Sequence, residues 1–211
     1  MATERPSKIK RVVLATCGSL ICCFLGLLPE PTRSQSSAPN VDLTRLKISY
    51  DKRADETTVS LLPMLVREVP GTIAVRSPSG STKNLPRETL RMTAYFTYAG
   101  KTYHSPEQVM FGFLSLSQDE GKYENSNEVV FKVDSQPLML GRLRVADRRV
   151  DTNLELKDVN YWQEILEVST NSADFRRIAG ARNVTVQLGN TAFDLSTAHI
   201  QSLRTLASKI Q

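Results

Sequence analysis

Two charged clusters in this chain have the residue types and spacing to do chemistry. The densest acidic one is Asp51, Asp55 and Glu56. Carboxylates this close can hold a hard cation such as calcium with help from backbone carbonyls. They can also divide acid and base duties in a hydrolase. Lys52 and Arg53 interrupt the cluster, and the ordered ligand spacing of a calcium loop is missing. The competing account is a solvated turn between strands, with aspartate side chains bonding nearby amides. The densest basic run is Arg142, Arg144, Arg148 and Arg149. With Leu143 and Val145 pointing inward, Arg142 and Arg144 share an outer strand face, a surface suited to anionic lipid head groups, acidic glycans or nucleic acid. Asp147, Asp151 and Glu155 lie among them and favour ordinary surface ion pairing.

Other chemistries are poorly supplied. His104 and His199 are the only histidines. Neither has a second histidine at ligand spacing, so a histidine-based metal site is not expected, and no motif of the chain assigns it a cofactor. Ser49-Tyr50-Asp51-Lys52 matches a Ser-x-x-Lys pattern, but that reaction needs its serine at a helix start and this one falls at a strand end. Nucleophile-elbow, phosphate-loop and His-Glu-x-x-His motifs are absent from the sequence. Tyr95, Tyr98, Tyr103 and Trp162 offer rings on which sugars could stack, although in a β-rich chain such rings more often pack across strands.

The elements that would position these residues are mostly strands. Leu46, Ile48 and Tyr50 alternate with polar neighbours, as in a half-buried strand. Thr57 to Val66 is apolar and β-prone, with Pro63 pointing to an edge or a bulge. Leu90, Met92, Ala94, Phe96 and Tyr98 form a period-two face. Val109 to Leu116 is apolar on both faces, which suits a strand in the middle of a covered sheet. Val129, Phe131 and Val133 alternate again. Leu138 to Val145 follows a turn at Asp134-Ser135, and Leu154 and Leu156 suggest a further strand. Tyr161 to Val168 suits strand or helix equally. Ser172 can cap a short helix that ends at Gly180.

The end of the chain is the clearest stretch. Val184, Val186 and Leu188 lead into Gly189-Asn190, a hairpin dipeptide, and Thr191 to Phe193 return. Ser196 then caps a helix whose Ile200, Leu203, Leu206, Ala207 and Ile210 line one face. The predicted class is mainly β: an antiparallel sandwich or a strongly curved sheet with this amphipathic helix packed on it.

The start reads as a leader. Lys8, Lys10 and Arg11 precede an uncharged apolar run from Val12 to Leu28, and small residues follow Pro31. Residues 1–34 therefore read as a signal peptide, with an uncleaved anchor as the alternative. Residues 35–40 read as a linker and 41–211 as one domain. Cys17, Cys22 and Cys23, the only cysteines, all lie in the leader. Its removal leaves a chain without disulfides, thiol nucleophile or thiolate metal site. The leader also holds five of the 27 basic and two of the 22 acidic residues. The remainder, with 22 and 20, is nearly balanced, and no nucleic-acid partner is expected.

Tyr50-Asp51-Lys52-Arg53-Ala54-Asp55-Glu56-Thr57-Thr58-Val59 resembles the opening of a group of uncharacterised exported bacterial domains. Phe175 to Ala179 and Val184 to Leu195, with Leu188-Gly189-Asn190 and Phe193-Asp194-Leu195, are similar to the same group. The resemblance implies an exported bacterial setting and a β-rich fold, and carries no activity. Together these readings describe a cell-envelope or extracellular domain that binds an envelope protein, a glycan or an anionic lipid. Asp51, Asp55, Glu56, Arg142 and Arg144 are the candidate contact residues. A carboxylate-based hydrolase and a purely structural protein are the alternatives.

Overall fold

The computed structural model describes residues 46–76, 80, 82–123, 125, 128–151 and 161–210. The leader, the linker and the strand expected around Leu154 and Leu156 lie outside the described residues. The elements, in order, are β1 (Leu46–Asp51), β2 (Glu56–Leu61), β3 (Met64–Val69), β4 (Ala74–Arg76), β5 (Thr82–Asn84), β6 (Glu88–Ala99) and β7 (Gln108–Ser117). Then come β8 (Glu128–Val133), β9 (Gln136–Arg142), β10 (Arg144–Asp151) and β11 (Tyr161–Asn171). Helix α1 (Ser172–Gly180), β12 (Val184–Leu188), β13 (Thr191–Asp194) and helix α2 (Thr197–Ala207) close the chain. The fold is mainly β, all strand pairs are antiparallel, and the closing helix packs on the sheets without a closed barrel.

The larger sheet has seven strands, ordered β1-β2-β6-β7-β11-β10, with β3 also paired to β6. β2 and β3 are one long path along β6, broken at Leu62-Pro63. Ser60 pairs with Tyr95, and after the break Met64 pairs with Met92, a slip of one residue. This is the bulge that Pro63 foreshadows, since proline has no N–H for the ladder. The Thr93 hydroxyl donates to the Leu61 carbonyl at the break, 2.6 Å away, and supplies a missing partner. Just beyond, Gly71 allows a close backbone approach: a Cβ there would lie 2.1 Å from the Leu85 carbonyl oxygen.

The smaller sheet has four strands, ordered β13-β12-β8-β9. Asp134 and Ser135, at the tip of the β8–β9 hairpin, both have positive φ, 47° and 70°. The Asp134 carboxylate holds this turn to the segment that enters the neighbouring strand β12 by accepting from the amides of Arg182 and Asn183, at 3.0 and 2.9 Å. The two sheets and both helices share one apolar core. Phe111 of β7 meets Phe131 of β8 at 4.8 Å between ring centroids and Phe175 of α1 at 5.6 Å. As its two-sided apolarity predicts, β7 lies inside the large sheet between β6 and β11.

Tyr161 to Val168, open between strand and helix in the sequence, is a strand. Three local expectations are revised. Helix α1 is capped by Asn171 rather than Ser172. The Asn171 side chain accepts from the Asp174 amide at 2.8 Å, while Ser172 already lies in the first turn. Ile48 is 61 % exposed rather than half-buried, because β1 is the outermost strand and pairs on one side only. Arg142 and Arg144 do not share a strand face. Arg142 ends β9 in the small sheet and Arg144 opens β10 in the large one, so buried Leu143 marks the corner where the chain changes sheets.

Candidate functional site

The acidic cluster forms the tip of the β1–β2 hairpin, where Asp51 pairs with Glu56. One Asp51 oxygen accepts from the amides of Arg53 and Ala54, at 2.7 and 3.4 Å. Asp55 has a φ of 50°, and its carboxylate accepts from the Tyr50 hydroxyl at 2.7 Å. Burial pushes the Glu56 carboxyl above its usual range; a hydrogen bond from Thr97 opposes the shift and the Asp51 charge adds to it. The three residues are neighbours, as their spacing implies, but two of them are committed to the turn itself. Among the described residues, no group of three histidine, cysteine or acidic side chains could hold a metal ion.

The more concentrated chemistry lies elsewhere, on the inner face of the large sheet at one end. Cross-strand register builds it. Arg67, Leu90, Ser115, Glu164 and Arg148 are successive partners from β3 to β10. The next row runs Val69, Glu88, Ser117, Trp162 and Val150. Partners across a ladder project to the same face, so Glu88 and Glu164 point the same way as the core residues Met92, Phe113 and Leu166. They are 1 % and 0 % exposed.

Tyr123, from the segment after β7, bridges the two carboxylates. Its hydroxyl donates to Glu88 Oε1 at 2.7 Å, and its backbone N–H donates to Glu164 Oε2 at 3.3 Å. Lys122 donates to Glu88 Oε2, and Arg67 Nε lies 3.5 Å from that oxygen. Arg148 holds Glu164 Oε1 through Nη2 and Nε, at 2.9 and 3.2 Å. All four carboxylate oxygens therefore have protein donors or a cation beside them, as buried charges require. Burial, followed by the hydrogen bond to Glu88 and its charge, pushes the Tyr123 phenol far above its ordinary value. Tyr123 is thus a fixed donor at physiological pH. Acid–base hydrolysis needs a carboxylate aimed at substrate. These are aimed at their own chain, and the arrangement holds the Gln118–Tyr123 segment over the end of the core.

A third buried carboxylate, Glu167, lies on the opposite face of the large sheet. It accepts from the Tyr95 hydroxyl at 2.9 Å and from Arg144. Gly112 stands between Thr93 and Glu167 in register, and a Cβ there would lie 3.0 Å from Thr93 Cγ2 and 3.9 Å from the Tyr95 ring. Arg144 is thus an ion-pair partner on the sheet surface. Arg142 is exposed and pairs in register with Glu128.

Two of the tyrosines weighed as a sugar-stacking surface serve packing. Tyr98 and Tyr103 meet edge to face at 5.4 Å, and both lie against the core. His104 is exposed, whereas His199 is half-buried and structural. His199 Nδ1 accepts from the Ser196 N–H at 3.2 Å, and the His199 N–H donates to Ser196 Oγ at 3.3 Å, a reciprocal cap for α2. Burial lowers the imidazole pKa, opposed by a hydrogen bond to the Leu65 backbone.

The carboxylates missed by spacing had a readable signal: charge in phase with an apolar face. Glu88 continues the Leu90-Met92-Ala94 alternation, and Glu164 continues that of Leu166 and Val168. No protein-family model, curated protein or solved structure matches this chain.

Proposed function

We propose that this chain is an exported, non-catalytic interaction module of the cell envelope that contacts a protein partner through the open edges of its sheets. One observation carries this reading. Among the described residues, the large apolar side chains left exposed are Ile48, Leu65, Met139, Val145 and Val150. All five sit on β1, β3, β9 or β10, strands that among the described residues pair on one side only. Such a strand offers unpaired backbone donors and acceptors, and natural proteins avoid leaving one both exposed and apolar unless something covers it. A partner strand matches that surface better than a glycan or lipid does. The internally satisfied carboxylates support the non-catalytic side of the reading. The leader, and the resemblance to exported bacterial domains, support the setting.

The test is site-specific photo-crosslinking of the full chain in a bacterial host. Probes at Ile48 and Met139 are expected to give discrete adducts with another protein. Probes at exposed Gln187 and Lys132, inside the small sheet, are expected to give none. Equal labelling at all four positions, or adducts only at the latter two, would rule out edge recognition.

A further inference from the structure

The β10 edge carries a pattern that names its own partner. Residue types along it run Arg144, Val145, Ala146, Asp147, Arg148, Arg149, Val150, Asp151. The ladder with β11 shifts between Val145 and Asp147, which leaves Ala146 as the extra residue of a bulge. With Ala146 set aside, Val145, Arg148 and Val150 pair with Leu166, Glu164 and Trp162 and belong to the inner face. Arg144, Asp147 and Arg149 pair with Glu167, Ile165 and Gln163 and belong to the outer face.

On the outer face, Asp147 and Arg149 flank the Arg148 position with opposite signs. The inner-face positions, Val, Arg, Val, read the same both ways. A strand with this order is complementary to itself when antiparallel.

Resting on the edge-contact reading above, we propose that two copies of this chain pair β10 to β10 about a twofold axis at Arg148, joining their large sheets into one. Val145 then falls opposite Val150 of the second copy, and Asp147 opposite Arg149. Opposite charges and apolar pairs stabilise directly opposed positions, and like charges there destabilise. The one like pair is Arg148 with its counterpart on the axis, and each of these is already offset by its own Glu164 at 2.9 Å. A twofold interface must be self-complementary in this sense.

The isolated chain leaves these groups under-used. Val145 and Val150 are each 37 % exposed on the free strand. The ion pair between Asp147 and Arg149 spans 4.0 Å, longer than a hydrogen bond. Charges and bulges can also serve to block an edge. A blocking edge needs charges that repel a second copy, whereas here the bulge is what brings opposite signs into register. Counted as an ordinary register position, Ala146 would bring Asp147 opposite Arg148, which belongs to the other face.

The test is sedimentation velocity on the full chain, with Asp147→Arg, Arg149→Asp and the double reversal. Wild type is expected to dimerise at micromolar concentration. Each single reversal places like charges opposite one another twice per dimer and is expected to weaken association about tenfold or more. The double reversal restores opposite signs and should return association to near the wild-type value. Unchanged thermal unfolding in the single variants excludes misfolding as the cause. A chain that stays monomeric to about 100 µM, a concentration equivalent to only ~5 kcal/mol of association, would overturn the proposal. So would a dimer indifferent to the single reversals, or one not rescued by the double reversal. None of these results touches edge contact with a different protein, which the crosslinking experiment reads separately.

Discussion

Tyr123→Phe removes one oxygen atom and leaves the ring in place, so it isolates the hydroxyl bond to Glu88 Oε1. That bond is 2.7 Å long, to a carboxylate 1 % exposed, from a ring equally buried. Hydrogen bonds to charged groups contribute about 1.5–3 kcal/mol, and an acceptor stranded in the interior sits at the upper end of that range. Lys122 and Arg67 stay beside the other Glu88 oxygen and keep the charge paired. The expected loss is therefore about 2 kcal/mol, rather than the ~3–5 kcal/mol of a fully orphaned buried ion. For a domain of this size that corresponds to a fall in melting temperature of roughly 4–8 °C. Urea denaturation should show the midpoint moving with an unchanged slope, the sign of lost stability without a change of cooperativity. In a Glu88→Gln background, Tyr123→Phe should cost at least about 1 kcal/mol less, because contacting partners couple. A loss under about 0.5 kcal/mol in wild type, the ordinary range for surface positions, or full additivity with Glu88→Gln, would refute the bridging role of Tyr123.

Three further expectations follow from particular contacts. His199 has its folded pKa lowered from 6.5, so the unfolded chain takes up the proton first. Its contribution to stability is complete above that unfolded value and is lost as pH falls through the folded one; subtracting the melting profile of His199→Gln, which can still cap, from that of wild type should isolate a loss confined to the acid side. Gly71→Ala places a methyl carbon 2.1 Å from the Leu85 carbonyl oxygen, and should cost about 1–3 kcal/mol by denaturation. Arg204 donates to the carbonyls of Ala179 at 2.9 Å and Ala181 at 2.8 Å, tying α2 to the end of α1. Arg204→Met keeps most of the stem but should lose about 1.5–3 kcal/mol by the same assay, whereas Arg204→Lys should lose less.

Where periodicity alone decides, the sequence is a good guide. The closing hairpin and helix follow from Gly189-Asn190 and from the spacing of Ile200, Leu203 and Leu206, because local turn and helix physics suffice there. β7 is legible as a central strand because both of its faces are apolar. Other features depend on distant partners. Arg204 lies off the face formed by Ile200, Leu203 and Leu206, yet its guanidinium turns back onto the end of α1. Arg142 and Arg144 read as neighbours on one face, and a change of sheet at Leu143 separates them. The acidic cluster draws attention because its members adjoin in sequence, and it forms a hairpin tip. Glu88, Tyr123 and Glu164 converge only through the order β6-β7-β11, which no local spacing encodes. Their trace in the sequence is a charge in phase with an apolar face, and that trace marks a buried ion without naming its partner.

Edge recognition, as proposed, places contact at the sheet edges and not over the buried carboxylates. Amide hydrogen exchange on the full chain, with and without a soluble envelope extract from the host, separates the two. Added protection is expected in β1, β9 and β10, with the Gln118–Tyr123 segment unchanged. Protection concentrated in that segment, with the edge strands unaltered, would contradict it and return attention to Glu88 and Glu164.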